Sequence, residues 1–270
     1  MDANILKFID EKVEDGKKAA LILLTQTSGS TPRKAGSIMA LCEDGSRCGT
    51  VGGGNLENQI LISAEEAIEK IEDREFEHIL TEKGDLGMIC GGEASGYIKV
   101  FYPRNKLLII GAGHVGKALY DLAVTLDFDI TVMDDRQEYA NKEAYPDADI
   151  VVGEYEDVLP KLEVDKFTSV VIVTRGHKYD KEALKAFINK DTAYIGMIGS
   201  RRKIKGTLDV LKEDALYKDN LSKLYAPIGL DIGSNLPSEI ALGIMCEIVL
   251  CKNGKKPEHM RDLYRQSVEL

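Results

Sequence analysis

The sequence is poor in several features that would announce a function. It has no apolar run long enough to cross a bilayer, which argues against a membrane-spanning protein. Met1 to Lys18 is charged throughout and lacks the apolar core of a signal peptide, so a cytoplasmic location is the expectation. Basic residues are outnumbered: 35 Lys and Arg face 45 Asp and Glu, for a net charge of −10. A nucleic-acid binder would normally carry a basic excess, so that class is excluded as the default. Cysteine is sparse, five in all, an odd number with no CxxC pair. In a cytosolic protein that argues against a disulfide framework and against structural zinc. No HExxH, Walker lysine or Ser-His-Asp arrangement is recognisable. Tryptophan is absent and aromatics make up 6%, which carries little functional information.

What is present is a change of pattern near Pro103-Arg104-Asn105. Before it, residues 2–16 read as an amphipathic helix, and Ala19–Leu24 as a buried strand ending in the turn formers Thr27 to Pro32. Ser37–Cys42 and Arg47–Val51 read as further strands. Asn55, after Gly52-Gly53-Gly54, reads as the N-cap of a helix. Phe76–Leu80 and Tyr97–Tyr102 close this half as strands. After Asn105, short β-branched runs alternate with helical patterns, the signature of a parallel sheet covered on both faces. The expected fold class is therefore α/β: a small N-terminal α+β domain over 1–104, then a Rossmann-like doubly wound parallel-sheet domain over 105–270. The final helix begins near Pro237 and carries Cys246, which reads as core.

The strongest local motif is Gly111-Ala112-Gly113-His114-Val115-Gly116 between an apolar strand and a helix. Three glycines at this spacing permit a tight turn (Gly111), approach of a pyrophosphate to backbone (Gly113) and close packing of helix on strand (Gly116). Asp134, ending the next apolar run, is spaced to reach a ribose. His114 would sit at the helix N-terminus facing the phosphate position. Arg175 and His177 follow another strand, as do Ser200 and Arg201, and each pair could face an anion from a strand's carboxyl end. In the first half, Arg33 and the Gly52-Gly53-Gly54 run are a second anion-cradle candidate. Asp231 is the polar residue of a glycine-punctuated loop before the last helix. Cys90 lies between glycines where a metal or a transferred sulfur could approach closely. By themselves these features fit an NAD(P)-dependent oxidoreductase as well as a binding protein, although no base held by a carboxylate partner is evident.

Taken in order, GSTPRKAGSIMA, GTVGGGNLE, MICGGE, IIGAGHVGKAL, VTRGHKYD, YIGMIGSRRK and APIGLDIGSNLPSEIAL resemble the XdhC/CoxI family across nearly the whole chain. These are accessory proteins of xanthine and carbon monoxide dehydrogenases. The resemblance implies a maturation factor that binds molybdenum cofactor, as molybdopterin or its dinucleotide form. It implies a cysteine desulfurase that supplies sulfur, a molybdenum hydroxylase apoenzyme that receives the cofactor, and a homodimer. The chain departs from the family at Asn55, where a cysteine commonly follows the triple glycine. A thiolate role there does not carry over, which leaves Cys90 as the candidate contact to molybdenum or sulfur.

Overall fold

The computed structural model describes residues 2–29, 33–80, 92–233 and 235–267. The chain divides into two compact units, Met1–Pro103 and Arg104–Leu270.

In the first unit the order is α1 (Asp2–Glu14), β1 (Ala19–Gly29), β2 (Ile38–Cys42), β3 (Arg47–Gly49), α2 (Gly54–Lys70), β4 (Arg74–Leu80) and β5 (Gly92–Phe101). The strands form one antiparallel sheet, β3-β2-β1-β5-β4. β1 is central, and its alternation serves both faces. Ala20, Ile22 and Leu24 join a core with Leu56, Ile60 and Ala64 of α2, while Ala19 packs with Ile5 and Ile9 of α1. β1 runs beyond the expected end at Leu24. The polar residues Gln26 to Ser28 stay in the sheet because β5 pairs with them as far as Gly92, past an irregularity between Leu24 and Gln26. α2 starts at Gly54 with Gly53 as its N-cap, so Asn55 lies inside the first turn and is not the cap expected from its residue type.

The second unit runs β6 (Lys106–Ile110), α3 (His114–Ala123), β7 (Asp129–Asp134), β8 (Asp149–Val152), α4 (Tyr155–Val158), β9 (Thr168–Ile172), α5 (His177–Phe187), β10 (Tyr194–Met197), α6 (Arg201–Lys212), β11 (Leu224–Tyr225), α7 (Pro237–Lys252) and α8 (Met260–Ser267). The six strands are all parallel, in the order β11-β10-β9-β6-β7-β8. Counted within the unit and read from the other edge this is 3-2-1-4-5-6, the doubly wound arrangement of dinucleotide-binding folds. Leu107 and Ile109 face a core shared with Leu119 of α3 and Ile244 of α7; Leu108 and Ile110 face Leu184 of α5 and Ile204 of α6. A strand buried on both faces must be apolar throughout, which explains the uninterrupted run Leu107 to Ile110. Cys246, expected in the core, is exposed: Ala241, Ile244, Met245 and Ile248 form the buried face of α7 and Cys246 lies on its other side. Among the described residues no helix is long and apolar enough to cross a membrane.

The winding reverses between β6 and β9. In such sheets the crevice beyond the carboxyl ends of these two strands is where ligands bind.

Candidate functional site at the reversal of the sheet

The turn after β6 is closed on two sides and open on a third. Gly111 adopts φ +115, and a Cβ there would lie 2.4 Å from the carbonyl oxygen of Val173, just past the end of β9. At Gly116 a Cβ would lie 2.1 Å from the carbonyl oxygen of Gly111. These two glycines let the turn press against β9 and let α3 press against the turn. Gly113 differs: a Cβ there would meet nothing within 4 Å, and its φ of −76 is ordinary for any residue. It is the N-cap of α3, without a capping side chain, and the first turn of α3 contains no acidic residue. The amides of that turn have no acceptor within the helix. His114 is the first residue of α3 and is exposed.

Asp134 does not face this opening. It is 1% exposed, and its carboxylate accepts bonds from Ala112 N at 2.8 Å, Arg136 N at 3.1 Å, Arg136 Nε at 2.8 Å and Arg136 Nη2 at 3.0 Å. Burial works against its charge, but the Arg136 guanidinium and the Ala112 amide outweigh burial and hold the carboxyl below the usual range. Asp134 therefore ties the glycine turn to the end of β7, and no oxygen is left for the ribose contact its spacing suggests. Next to it, Asp135 Oδ2 bonds Arg175 Nη2 at 2.6 Å. Its Oδ1 is buried, with no hydrogen-bond partner among the described residues and 3.6 Å from Arg136 Nε. Burial and the neighbouring Asp134 push the Asp135 carboxyl up, against the pull of Arg175. Two carboxylates this close do not both ionise easily.

Arg175 is the cation the fold brings to this cluster. Its side chain is 47% exposed, held by Asp135 on one side and lying over the Tyr179 ring, which stacks on buried Tyr155 at 4.4 Å. The loop that carries it is fixed by the Thr174 hydroxyl, which accepts from Gly176 N at 3.3 Å and donates to Asp180 Oδ1 at 2.5 Å. Asp180 sits inside the first turn of α5, which begins at His177 with Gly176 as N-cap.

The other expected site residues fall elsewhere. The cradle at Gly52-Gly53-Gly54 already holds an anion of its own. The Glu57 carboxylate accepts from Gly53 N at 2.9 Å, Val51 N at 3.1 Å and the Thr50 hydroxyl. Burial opposes its ionisation, yet these donors keep its carboxyl below the usual range. Ser200 is the N-cap of α6, its hydroxyl accepting from Lys203 N at 3.4 Å, and Arg201 is the exposed first residue of that helix. Asp231 is exposed, accepts from Gly233 N at 3.1 Å, and borders an apolar groove of about 870 Å³ with Leu122 and Leu126, beyond the middle of α3 and away from its N-terminus. Arg33 is exposed on the first unit. Cys90 and the side chain of His177 lie outside the described residues. Among the described residues no group of three or more His, Cys, Asp or Glu could hold a metal ion.

Three residues that matter here were not expected from the sequence: Glu57, Asp135 and Arg136. A signal existed for each. Glu57 stands in the first turn of a helix that begins with glycines, where an acid is favoured. Asp134-Asp135-Arg136 is a charged triplet directly after an apolar strand.

Comparison with known proteins agrees with this fold. Residues 107–248, more than half of the chain, match the family profile described as the XdhC Rossmann domain. Residues 13–79 match that of the XdhC and CoxI family. The protein YqeB of Escherichia coli K12 is 32% identical over 250 residues, which are 89% of this chain but 46% of YqeB, so the chain spans about half the length of that relative. A probable xanthine dehydrogenase subunit of Bacillus subtilis 168 is 23% identical, over 91% of this chain and 97% of that protein. The molybdenum cofactor insertion chaperone PaoD of Escherichia coli K12 is 21% identical, over 90% of this chain and 86% of PaoD. With both units matched in order along the sequence, the chain belongs to the XdhC and CoxI family.

Proposed function

We propose that this chain is an accessory factor for a xanthine dehydrogenase-type molybdenum hydroxylase. It binds molybdenum cofactor as cargo, by the cofactor's phosphate, at the N-terminus of α3, and assists its sulfuration and insertion into the apoenzyme. The observation that carries the reading is the contrast between the chain's two glycine cradles. At α2 the amides are satisfied by Glu57. At α3, among the described residues, no side chain is seen to accept from the first-turn amides, the first turn has no acid, and the space beside Gly113 is clear. A helix N-terminus in that state suits a phosphate, since its amides and its dipole both favour an anion. Arg175 stands beyond the neighbouring strand end, where its planar fork suits phosphate oxygens.

The family and the chaperone PaoD point to the molybdenum cofactor. Its phosphate suits the α3 turn. The metal belongs to the cargo, and the thiol assigned to meet it or its transferred sulfur is Cys90. Dinucleotide oxidoreductase chemistry is less well supported, because the Asp134 carboxylate is spent on Ala112 and Arg136. In this reading the protein works in the cytoplasm as a homodimer, with a cysteine desulfurase and the apoenzyme as partners.

The test is to purify the chain after co-expression with the cofactor's biosynthetic enzymes and to measure bound pterin and molybdenum. Near-stoichiometric retention is expected, together with higher activity of a xanthine dehydrogenase apoenzyme to which the loaded protein is added. Absence of both pterin and metal refutes the proposal. Unchanged retention and sulfuration in Cys90→Ser refutes the role of that thiol alone.

A further inference from the structure

On the face of the second unit that carries α5 and α6, an open groove of about 780 Å³ runs between the two helices. Lys178 and Lys181 of α5 and Arg202 and Lys203 of α6 line it, with Gly206 and Val210 further along α6. We propose that this groove docks an acidic segment of a protein partner.

The cations are placed at a cost. Arg201, Arg202 and Lys203 occupy the first turn of α6, where the helix dipole repels positive charge, and no acidic residue accompanies them there. Among the described residues no carboxylate pairs with Lys181, Arg202 or Lys203; only Lys178 is neutralised, by Glu156 at 3.2 Å and Glu182 at 3.7 Å. A protein of net charge −10 has acids to spare, so three unpaired cations converging on one groove call for an anion from outside.

The chemistry of the lining selects the kind of anion. Among the described residues no aromatic ring borders the groove, so they offer a nucleobase or a pterin nothing to stack on. The Ser200 hydroxyl already takes the Lys203 amide, so the groove offers long flexible cationic side chains in place of a tight amide cradle. Such side chains, set along two helices, can follow carboxylates spread along an extended polypeptide. A chain of net charge −10 repels an acidic partner at long range, and the cations of this groove offset that repulsion locally and steer the partner's orientation. Lys178 lies three residues after Arg175, so a docked partner stands beside the carboxyl end of β9.

The experiment uses the full chain and a fluorescein-labelled decaglutamate peptide, read by anisotropy at low and at physiological salt. Saturable binding that weakens with salt is expected, and at least a tenfold loss in K181E/R202E/K203E. A control, K7E/K255E/K256E, changes net charge equally and is expected to bind as the parent does. K181Q/R202Q/K203Q, which relieves repulsion at α6, keeps the test valid if the reversal variant fails to fold, and it too is expected to lose binding. No saturable binding, equal loss in the control, or tighter binding of a DNA duplex or of tripolyphosphate to the same groove would each overturn the proposal.

Discussion

Substituting alanine at Gly111, Gly113 and Gly116 in turn separates folding from ligand binding within six residues. At Gly111 alanine faces two penalties. The backbone sits at φ +115, disfavoured for an L-residue by about 1–3 kcal/mol. The new methyl also lies 2.4 Å from the Val173 carbonyl oxygen, and overpacking of this kind costs about 1–3 kcal/mol more. At roughly 2–4 °C per kcal/mol for a unit of this size, the melting transition falls by on the order of 10 °C. Gly116→Ala meets the Gly111 carbonyl oxygen at 2.1 Å without the φ penalty, so its loss comes to about half of that. Gly113→Ala meets nothing within 4 Å at an ordinary φ. Reduced chain entropy in the unfolded state favours alanine by about 0.4–1 kcal/mol, and the poorer N-cap opposes it by a similar amount, so the melting temperature holds within ~3 °C. The same methyl occupies the space a phosphate needs and displaces two or so charge-assisted bonds worth about 1.5–3 kcal/mol each, so pterin retention falls at least a hundredfold. Calorimetry on all three variants, with pterin analysis after co-expression, reads both axes. A Gly113→Ala protein that melts like Gly111→Ala, or that keeps its full complement of pterin, refutes the reasoning.

Two further outcomes follow from the charged triplet after β7. Asp134→Ala leaves the buried Ala112 amide without its acceptor and the partly exposed Arg136 guanidinium with Asp135 alone, a loss of about 1–3 kcal/mol, visible as a lowered urea midpoint with an unchanged slope. A variant as stable as the parent would show that the turn does not need this tie. Asp135 has its carboxyl raised, so the folded state holds the proton more tightly than the unfolded chain does. Its contribution is fully present below the ordinary aspartate pKa of about 4 and is lost as pH rises through the raised value. Asp135→Asn removes that loss, and is expected to be more stable than the parent above that window and to vary less with pH within it. Urea titrations from pH 4 to pH 8 that show parallel curves for the two proteins would rule this out.

Much of the second unit was legible because its signals are local and redundant. An apolar run, spaced glycines and a helical period must coincide in β6, the turn and α3, and short β-branched strands between helices leave few arrangements besides a parallel sheet. What escaped was direction. Spacing brings Asp134 to the ribose position, but only the fold shows that Arg136, two residues on, turns the carboxylate inward. The position of Cys246 on α7 was misread for a similar reason: α7 is apolar on all sides, so its pattern does not say which side is covered. β1 outran its apolar run because its extension depends on pairing with a partner some seventy positions away in sequence. The Gly52-Gly53-Gly54 run resembles a vacant cradle in sequence because composition reveals donors and not whether a nearby acceptor has already claimed them.

That last feature bears on how the first unit behaves in solution. With Glu57 seated among the amides of Val51 and Gly53, the start of α2 is self-sufficient and does not wait for a ligand to become ordered. Phosphate or sulfate in the buffer therefore meets amides already taken by Glu57 at the start of α2. Truncating the side chain, as in Glu57→Ala, turns the same glycines into a chemically rescuable vacancy, in which free acetate or phosphate restores what the carboxylate supplied.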